Sequence, residues 1–353
     1  MPTIDDIDTP SILVDLDKVE RNLKRAQDFA DANRLKLRPH IKTHKLVRFA
    51  RRQMELGASG ITCQKIGEAE VMADGGLTDI FLPYNILGTA KLDRLRALAA
   101  RVDLKVTADS DTTVDGYAET FADAPKPLAV LVECDTGGGR CGVQTLEAAV
   151  ALARRIAAAP GLVFGGLMTY PAKDGTTGSQ AWLAEAVERL TAAGLRPETV
   201  STGGTPGFSR APEVSAATEY RPGTYIYMDR FQVDVGAGEL DDCALTVLAT
   251  VVSRPTENRA VLDTGSKALT SDLLGLSGHG LILEYPDAVI ASLSEEHAVV
   301  DLSACGAKPA VGERVRVVPN HCCPVSNLFD DVVLVQGREV SAIVPVDARG
   351  RLR

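Results

Sequence analysis

Aromatic residues are scarce in this chain of 353 residues: they make up 5% of the sequence, and there is a single tryptophan. A core built from this composition must be mainly aliphatic. No apolar run reaches the about 18 residues of a membrane-spanning helix, and no basic segment with an apolar stretch behind it opens the chain. The net charge of −9 argues against a nucleic-acid or anionic-membrane surface. We therefore expect a cytoplasmic protein with neither kind of partner.

The cysteine usage argues against a disulfide framework. The chain has seven cysteines, an odd number, and only Cys322 and Cys323 are adjacent. In a large cytoplasmic chain such thiols stay reduced, and they either pack in the core or bind metals. The length accommodates one large α/β domain and a smaller one.

Apolar strand patterns alternate with helical patterns between about residues 35 and 230. Eight strand segments in about 200 residues are typical of a small (β/α)8 barrel. A doubly wound open sheet is the alternative. The predicted strands are LKLRPH (35–40), GITCQ (60–64), DIFLPY (79–84), DLKVTAD (103–109), LAVLVECD (128–135), LVFGGLMTYP (162–171), TVSTGG (199–204) and YRPGTYIYMD (220–229).

The pattern changes after about residue 243, where short apolar strands follow one another without a long helical segment. This is typical of an all-β domain. We therefore predict a barrel domain over residues 1–235, which includes an N-terminal strand and helix, and a C-terminal β domain over residues 236–353.

Positive charge is concentrated in RPHIKTHK, residues 38–45, where the first barrel strand ends. The active site of a (β/α)8 barrel lies at the carboxyl ends of its strands. A lysine that is desolvated there, near other cations, becomes a nucleophile for carbonyl groups, and Schiff-base chemistry with an aldehyde cofactor is its natural use. The alternative is a solvated basic loop at the start of a helix.

A second unusual segment, VVPNHCCPVSNLFD, contains His321 and Cys323 two positions apart. In an extended segment, residues with this spacing face the same side, whereas Cys322 faces the other way. Imidazole and thiolate together suit zinc or a similar divalent ion. The alternative is a buried histidine beside core cysteines.

Gly137, Gly139 and Gly142 form a G-x-G-x-x-G pattern between a predicted strand and a predicted helix. This pattern is found in dinucleotide-binding proteins, so an NAD-dependent dehydrogenase is one hypothesis. That fingerprint also requires an acidic residue about 20 positions further on. Residues 156–171 contain neither aspartate nor glutamate, which argues against it.

The ordered set RPHIKTHK, TCQKIGEAEVMADGG, DTGGGRCGV, STGGTPG, RPGTYIYMD and PNHCC resembles one enzyme family. This family is the fold-type III, alanine-racemase-like pyridoxal-phosphate enzymes, in the branch of the D-threonine aldolases and D-serine dehydratases. The resemblance extends over nearly the whole chain. It implies a (β/α)8 barrel that binds pyridoxal 5'-phosphate, followed by a β domain that carries a metal motif.

The resemblance also implies roles for individual residues. Lys42 would bind the cofactor covalently, and Arg140 would reach the phenolate side of its ring. Other cofactor contacts would come from Gln64, Tyr170, Thr202, Gly203, Gly204, Gly223 and Thr224, of which the last five would hold the phosphate. Glycine allows backbone N–H groups to approach such an anion closely. A divalent metal (zinc, manganese or magnesium) would bind at His321 and Cys323.

The implied reaction is the cleavage of a β-hydroxy-D-amino acid, such as D-threonine, to glycine and an aldehyde. The alternative is dehydration of D-serine or 3-hydroxy-D-aspartate to a 2-oxo acid and ammonia. Family members often have a histidine after strand six, where this chain has Tyr170 and Lys173. The base that acts on the β-hydroxyl is then a metal-bound hydroxide, His44 or Tyr170.

Two further expectations come from the resemblance. The family implies a homodimer whose subunits both contribute to the mouth of the site. Non-catalytic pyridoxal-phosphate carriers resemble the barrel alone, and the additional β domain with its HCC segment argues against that function.

Overall fold

The computed structural model describes residues 2–172 and 176–353, which form two compact units. The first unit contains residues 26–42, 46–223 and 350–353. The second unit combines the N-terminal segment up to Arg25 with residues 43–45 and 224–349. We describe each unit separately.

Eight parallel strands form the sheet of the first unit, in agreement with the predicted alternation. Consecutive strands pair from the second to the eighth, and the eighth also pairs with the first, where Glu219 lies opposite Lys36. A parallel bridge between His40 and Thr62 joins the first strand to the second, so the sheet closes into a barrel and the open-sheet alternative is wrong. The strands are Lys36–Leu37, Ile61–Thr62, Asp79–Leu82, Asp103–Ala108, Leu128–Cys134, Leu162–Thr169, Thr199–Thr202 and Glu219–Tyr220.

Amphipathic helices connect the barrel strands. In Leu146–Ala158, the buried residues Ala149, Leu152, Ala153 and Ile156 recur at helical spacing, and the Thr145 side chain caps the first turn. Phe81, Leu131 and Met168 pack together in one core cluster of this unit. The helices between the strands are Val47–Leu56, Ile66–Asp74, Thr89–Ala99, Asp111–Phe121, Leu146–Ala158 and Thr176–Ala192, with a 3-10 helix at Ile41–Thr43 and another at Thr205–Glu213.

The second unit is built on β-strands with short helices. Its strands are Ser11–Asp15, Leu245–Thr256, Arg259–Leu262, Leu281–Ile282, Val289–Leu293, Ala298–Asp301, Arg314–Val318, Asp331–Gln336 and Glu339–Pro345. Its short helices are Arg230–Asp234, Ser266–Leu269 and Cys322–Leu328, with 3-10 helices at Ile4–Asp6, Thr224–Ile226 and Leu240–Asp242.

The N-terminal strand Ser11–Asp15 belongs to this β-sheet, although we had grouped it with the barrel. It pairs antiparallel with Leu245–Thr256 and parallel with Asp331–Gln336. An apolar strand that precedes a helix has the same local pattern in either sheet, so the sequence could not distinguish them. The helix after it is Leu16–Ala32. None of the helices in the described residues combines the length and apolarity needed to cross a membrane.

Candidate active site

Lys42 lies in the 3-10 helix Ile41–Thr43, directly after the first barrel strand. Its backbone N–H donates to His40 Nδ1 at 3.4 Å, and His40 Nε2 lies 3.0 Å from Gln64 Oε1. His40 is buried, and the Lys42 side chain is half-buried. The structure therefore groups two predicted cofactor residues, Lys42 and Gln64, at the carboxyl ends of strands one and two. His40, to which we had assigned no role, connects them.

The turn after strand seven has the features of an anion-binding loop. Thr202 is 1% exposed, and its Oγ1 makes no hydrogen bond within the described residues. Gly203 has a φ of 92°, and a Cβ atom there would lie 2.0 Å from the Tyr220 ring. This position therefore requires glycine, both for its left-handed backbone and for the space. A buried hydroxyl without a partner, beside a backbone that only glycine can adopt, fits the predicted phosphate group.

The other predicted phosphate contacts are divided between the two units. Gly204 belongs to the first unit, and a Cβ atom there would lie 3.2 Å from the Tyr170 ring. Gly223 also belongs to the first unit, and it follows Pro222, whose carbonyl accepts the His40 N–H at 2.9 Å. Thr224 belongs to the second unit, where its Oγ1 lies 3.7 Å from Cys323 Sγ. The contact of Thr224 with a cysteine was not expected from the sequence.

The side chains of Arg140 and Tyr170 lie close together. The Arg140 guanidinium lies 5.0 Å from the centre of the Tyr170 ring, and Tyr170 is 46% exposed. Both side chains line a cavity of about 170 Å³, which Glu133 also lines. Lys173, the other residue that replaces the expected histidine, lies outside the described residues.

Two buried charged residues of the barrel were missed by the sequence analysis. Burial, and then the nearby Asp109, raises the pKa of Glu133 to about 6. Arg221 is 5% exposed and donates to Ser201 Oγ at 2.6 Å and to the Thr169 carbonyl at 2.9 Å; its burial lowers the guanidinium pKa to about 10. Glu133 stands inside the apolar strand Leu128–Cys134, and that charge in an apolar run was the signal available in the sequence. Arg221 follows the strand Glu219–Tyr220, and no local pattern distinguishes it from an exposed arginine.

The glycine-rich loop does not have the arrangement that a dinucleotide requires. The N–H groups of Gly137 and Gly139 donate to the Asp135 carboxylate at 2.9 and 3.1 Å. These amides point to a carboxylate of the chain itself and are not available to a pyrophosphate. This arrangement argues against the dehydrogenase hypothesis.

We had expected the segment with His321 and Cys323 to be extended. It is instead helical from Cys322 to Leu328. Pro324 is compatible with a helix here because the first-turn N–H groups have no intrahelical acceptor. His321 is the residue before the first turn, and its side chain nevertheless hydrogen-bonds that of Cys323. His321 and Cys323 are therefore in contact as predicted, but through a helical turn and not because an extended segment places them on the same side.

We define the metal-motif cluster as Thr43, Asp229, His321, Cys322 and Cys323, all in the second unit. The His321 Nδ1 lies 3.1 Å from the Asp229 carboxylate, and the Cys323 Sγ lies 3.1 Å from the Thr43 hydroxyl. Burial lowers the pKa of His321, but hydrogen bonds to Asp229 and Cys323 outweigh it and raise the pKa to about 10. Cys322 is fully buried.

An imidazole and a thiol in contact are suitable ligands for a borderline divalent ion. Across residues 2–172 and 176–353, no three His, Cys, Asp or Glu side chains are arranged to hold a metal. Two protein ligands are few for such an ion, so water, substrate or a third side chain would complete its coordination. His44, predicted as a possible base, is fully buried in this same unit.

Both units of the chain are similar to known proteins. Residues 14–231 match the family model of the alanine racemase N-terminal domain, and residues 244–335 match that of a putative serine dehydratase domain. The chain is 36% identical to a 3-hydroxy-D-aspartate aldolase of Paracoccus denitrificans, over 99% of this chain and 95% of that protein. The crystal structure of D-threonine aldolase from Filomicrobium marinum is similar with a TM-score of 0.92 and 34% identity, over 99% of this chain and 98% of that one.

A dehydratase is also similar. The structure of D-threo-3-hydroxyaspartate dehydratase from Delftia sp. HT23 has a TM-score of 0.90 and 29% identity, over 98% of this chain and 99% of that one. A cysteine-to-alanine mutant of a D-threo-3-hydroxyaspartate dehydratase, 28% identical to this chain, has a structure in the metal-free form. The match over both units, at 34 to 36% identity to aldolases, places this protein in the fold-type III, alanine-racemase-like pyridoxal-phosphate enzymes, in the branch of the D-threonine aldolases and D-serine dehydratases.

Proposed function

We propose that this protein is a pyridoxal-phosphate-dependent lyase that cleaves β-hydroxy-D-amino acids, such as D-threonine, to glycine and an aldehyde. The observation that carries this proposal is the similarity to two aldolases over at least 95% of every chain compared. Because the similarity includes the β unit with its HCC segment, it favours an enzyme over a carrier protein built from the barrel alone.

The residues that would hold pyridoxal phosphate are those at the strand ends of the barrel unit. Lys42 supplies the amine that binds the cofactor, and Thr202 with Gly203 supplies a hydroxyl and a close backbone approach for its phosphate. Arg140 and Tyr170 line the adjacent cavity. When bound, pyridoxal phosphate acts as an electron sink for a bond broken at the substrate α-carbon. The buried Arg221 adds positive charge to the strand ends, which favours an anionic group.

The residues that would hold a divalent metal are His321 and Cys323. A nitrogen and a sulfur ligand favour zinc over manganese or magnesium, which prefer oxygen. Such an ion polarises a hydroxyl oxygen and lowers its pKa. The metal-free form of a similar dehydratase supports this proposal.

Aldol cleavage requires a base that accepts the β-hydroxyl proton. Tyr170 is 46% exposed and lines the cavity beside Arg140, whereas His44 is fully buried. We therefore favour Tyr170 over His44 as the base that accepts the proton of this hydroxyl, because a substrate can reach it.

The alternative reaction is the dehydration of D-serine or 3-hydroxy-D-aspartate. The similarity to the Delftia dehydratase favours this alternative.

Product analysis distinguishes the two reactions. With D-threonine or D-phenylserine as substrate, we expect glycine and the corresponding aldehyde in equal amounts. D-Serine is the contrasting substrate, because a dehydratase converts it to pyruvate and ammonia. Faster formation of pyruvate from D-serine than of glycine from any D-β-hydroxy amino acid would show that the protein is a dehydratase.

We also infer that the protein is a homodimer, as the family resemblance implies, and that it is cytoplasmic, as its charge and composition predict. The measurement is sedimentation equilibrium at micromolar concentration, combined with an activity assay at the same concentration. We expect twice the chain mass of 37.4 kDa. A fully active species with the mass of one chain would contradict the inference.

A further inference from the structure

We propose that Asp229 is the positioning residue of the metal-motif cluster. It holds the His321 ring so that Nδ1 carries the proton and Nε2 presents its lone pair to the metal. This inference rests on the proposed metal function of His321 and Cys323, and it adds a residue that the sequence analysis did not find.

The Asp229 carboxylate is held from three directions. One oxygen, Oδ2, accepts hydrogen bonds from the His321 Nδ1 at 3.1 Å and from the Cys322 backbone N–H at 3.0 Å. The other oxygen, Oδ1, accepts from the Gln232 N–H at 2.9 Å. Asp229 has 0% exposure, so water does not compete for these bonds. Its rotamer is therefore determined by two backbone donors as well as by the imidazole.

The backbone beside Asp229 supports a positional role. Met228 has a φ of 51°, in the left-handed region that side chains other than glycine rarely adopt. Asp229 itself is extended and caps the helix Arg230–Asp234. Because unfavourable backbone of this kind persists only where surrounding contacts maintain it, it is frequent at functional sites.

The chemistry follows from the position of the proton. An imidazole that donates from Nδ1 to a carboxylate can offer only Nε2 as a ligand, and the carboxylate makes that nitrogen a stronger donor. The bond from the Cys322 N–H to the same oxygen also holds the backbone between His321 and Cys323. Asp229 therefore orients the imidazole ligand and secures the segment that carries the thiol ligand.

The test is the zinc affinity of Asp229→Asn, measured on the full-length protein loaded with pyridoxal phosphate, by competition with a chromophoric chelator. The substitution keeps the shape but removes the charge and one acceptor. We expect affinity to fall by about 10- to 100-fold and the ligand-field bands of the cobalt-substituted protein to shift. The absorption of the bound cofactor should remain. Unchanged affinity, within about twofold, together with an unchanged cobalt spectrum, would overturn the proposal.

Asp242→Asn is the matched control. Asp242 is a buried carboxylate of the same unit, but it bonds Arg25 and the Glu239 N–H instead of the cluster. We expect this variant to retain the wild-type zinc affinity. An equal loss of affinity in both variants would indicate a general effect of removing buried charge and would overturn the specific role of Asp229.

A second measurement identifies the protonated nitrogen of His321 in the wild-type protein itself. In zinc-loaded wild-type protein with ¹⁵N-labelled histidine, we expect the His321 proton on Nδ1, with the signal assigned from His321→Ala. A proton on Nε2 would overturn the proposal. Elemental analysis distinguishes a wrong role for Asp229 from a wrong metal site. A wild-type protein that binds no divalent metal would refute the metal site itself, and the role of Asp229 with it.

Discussion

Lys42→Ala is expected to abolish turnover, with a loss of at least about 10³-fold, and to remove the visible absorption band of the bound cofactor. The reason is that, in the proposed function, Lys42 at the carboxyl end of the first barrel strand would supply the amine that binds the cofactor. His40 and Gln64 lie beside it and should still accept a cofactor held only by noncovalent contacts. We therefore expect weak binding of pyridoxal phosphate to persist without the band.

Lys45→Ala is the matched control for this prediction. Lys45 lies in the same basic segment, but it belongs to the second unit and its carbonyl accepts the Ala348 N–H. This variant should retain the band. The assignment is checked independently by reducing the wild-type protein with borohydride and mapping the labelled peptide. A label on Lys45, with none on Lys42, would show that the wrong lysine was identified.

The second large effect is expected on removal of the metal. Chelation should lower turnover by about 100-fold or more and leave the cofactor absorption largely unchanged, because the proposed metal would act on the β-hydroxyl of the substrate and not on the cofactor. His321→Ala and Cys323→Ala should each have the same effect, and added zinc should not restore either variant. The measurements are steady-state turnover, cofactor absorbance and metal content of the same samples.

Cys305→Ala is the control for loss of a thiol. Cys305 is buried in the second unit and does not belong to the metal-motif cluster. We expect this variant to keep its metal content and activity. Wild-type turnover in both His321→Ala and Cys323→Ala, with no metal detected in the wild-type protein, would contradict the metal function while leaving the role of Lys42 intact.

The classes of secondary structure could be predicted from the sequence because they depend on local periodicity. The eight barrel strands were found in their order, and the change to short strands after about residue 243 indicated a β-rich region. Lys42 could be placed at a strand end for the same reason. Its covalent role rests on the family resemblance and still requires the trapping experiment.

Two local features required the tertiary structure. The strand Ser11–Asp15 is apolar and precedes a helix, a pattern that either sheet can accommodate, and only its partners place it in the β-sheet. The segment from Cys322 to Leu328 is helical, although the spacing of His321 and Cys323 had been interpreted for an extended segment. In both cases short-range preferences are weak and tertiary contacts override them.

The sequence by itself therefore determined the alternation of strands and helices, the following β region and the spacing of His321 and Cys323, since each is expressed in residues close together in the chain. The closure of the barrel depends on the pairing of the first and eighth strands and was decided by the tertiary structure. The tertiary structure alone decided that Asp229 hydrogen-bonds His321, because the two residues are separated by 92 positions. It also decided that Glu133 and Arg221 are buried charges. No local pattern encodes a hydrogen bond between distant segments, because the chain path between them decides whether the donor and the acceptor meet.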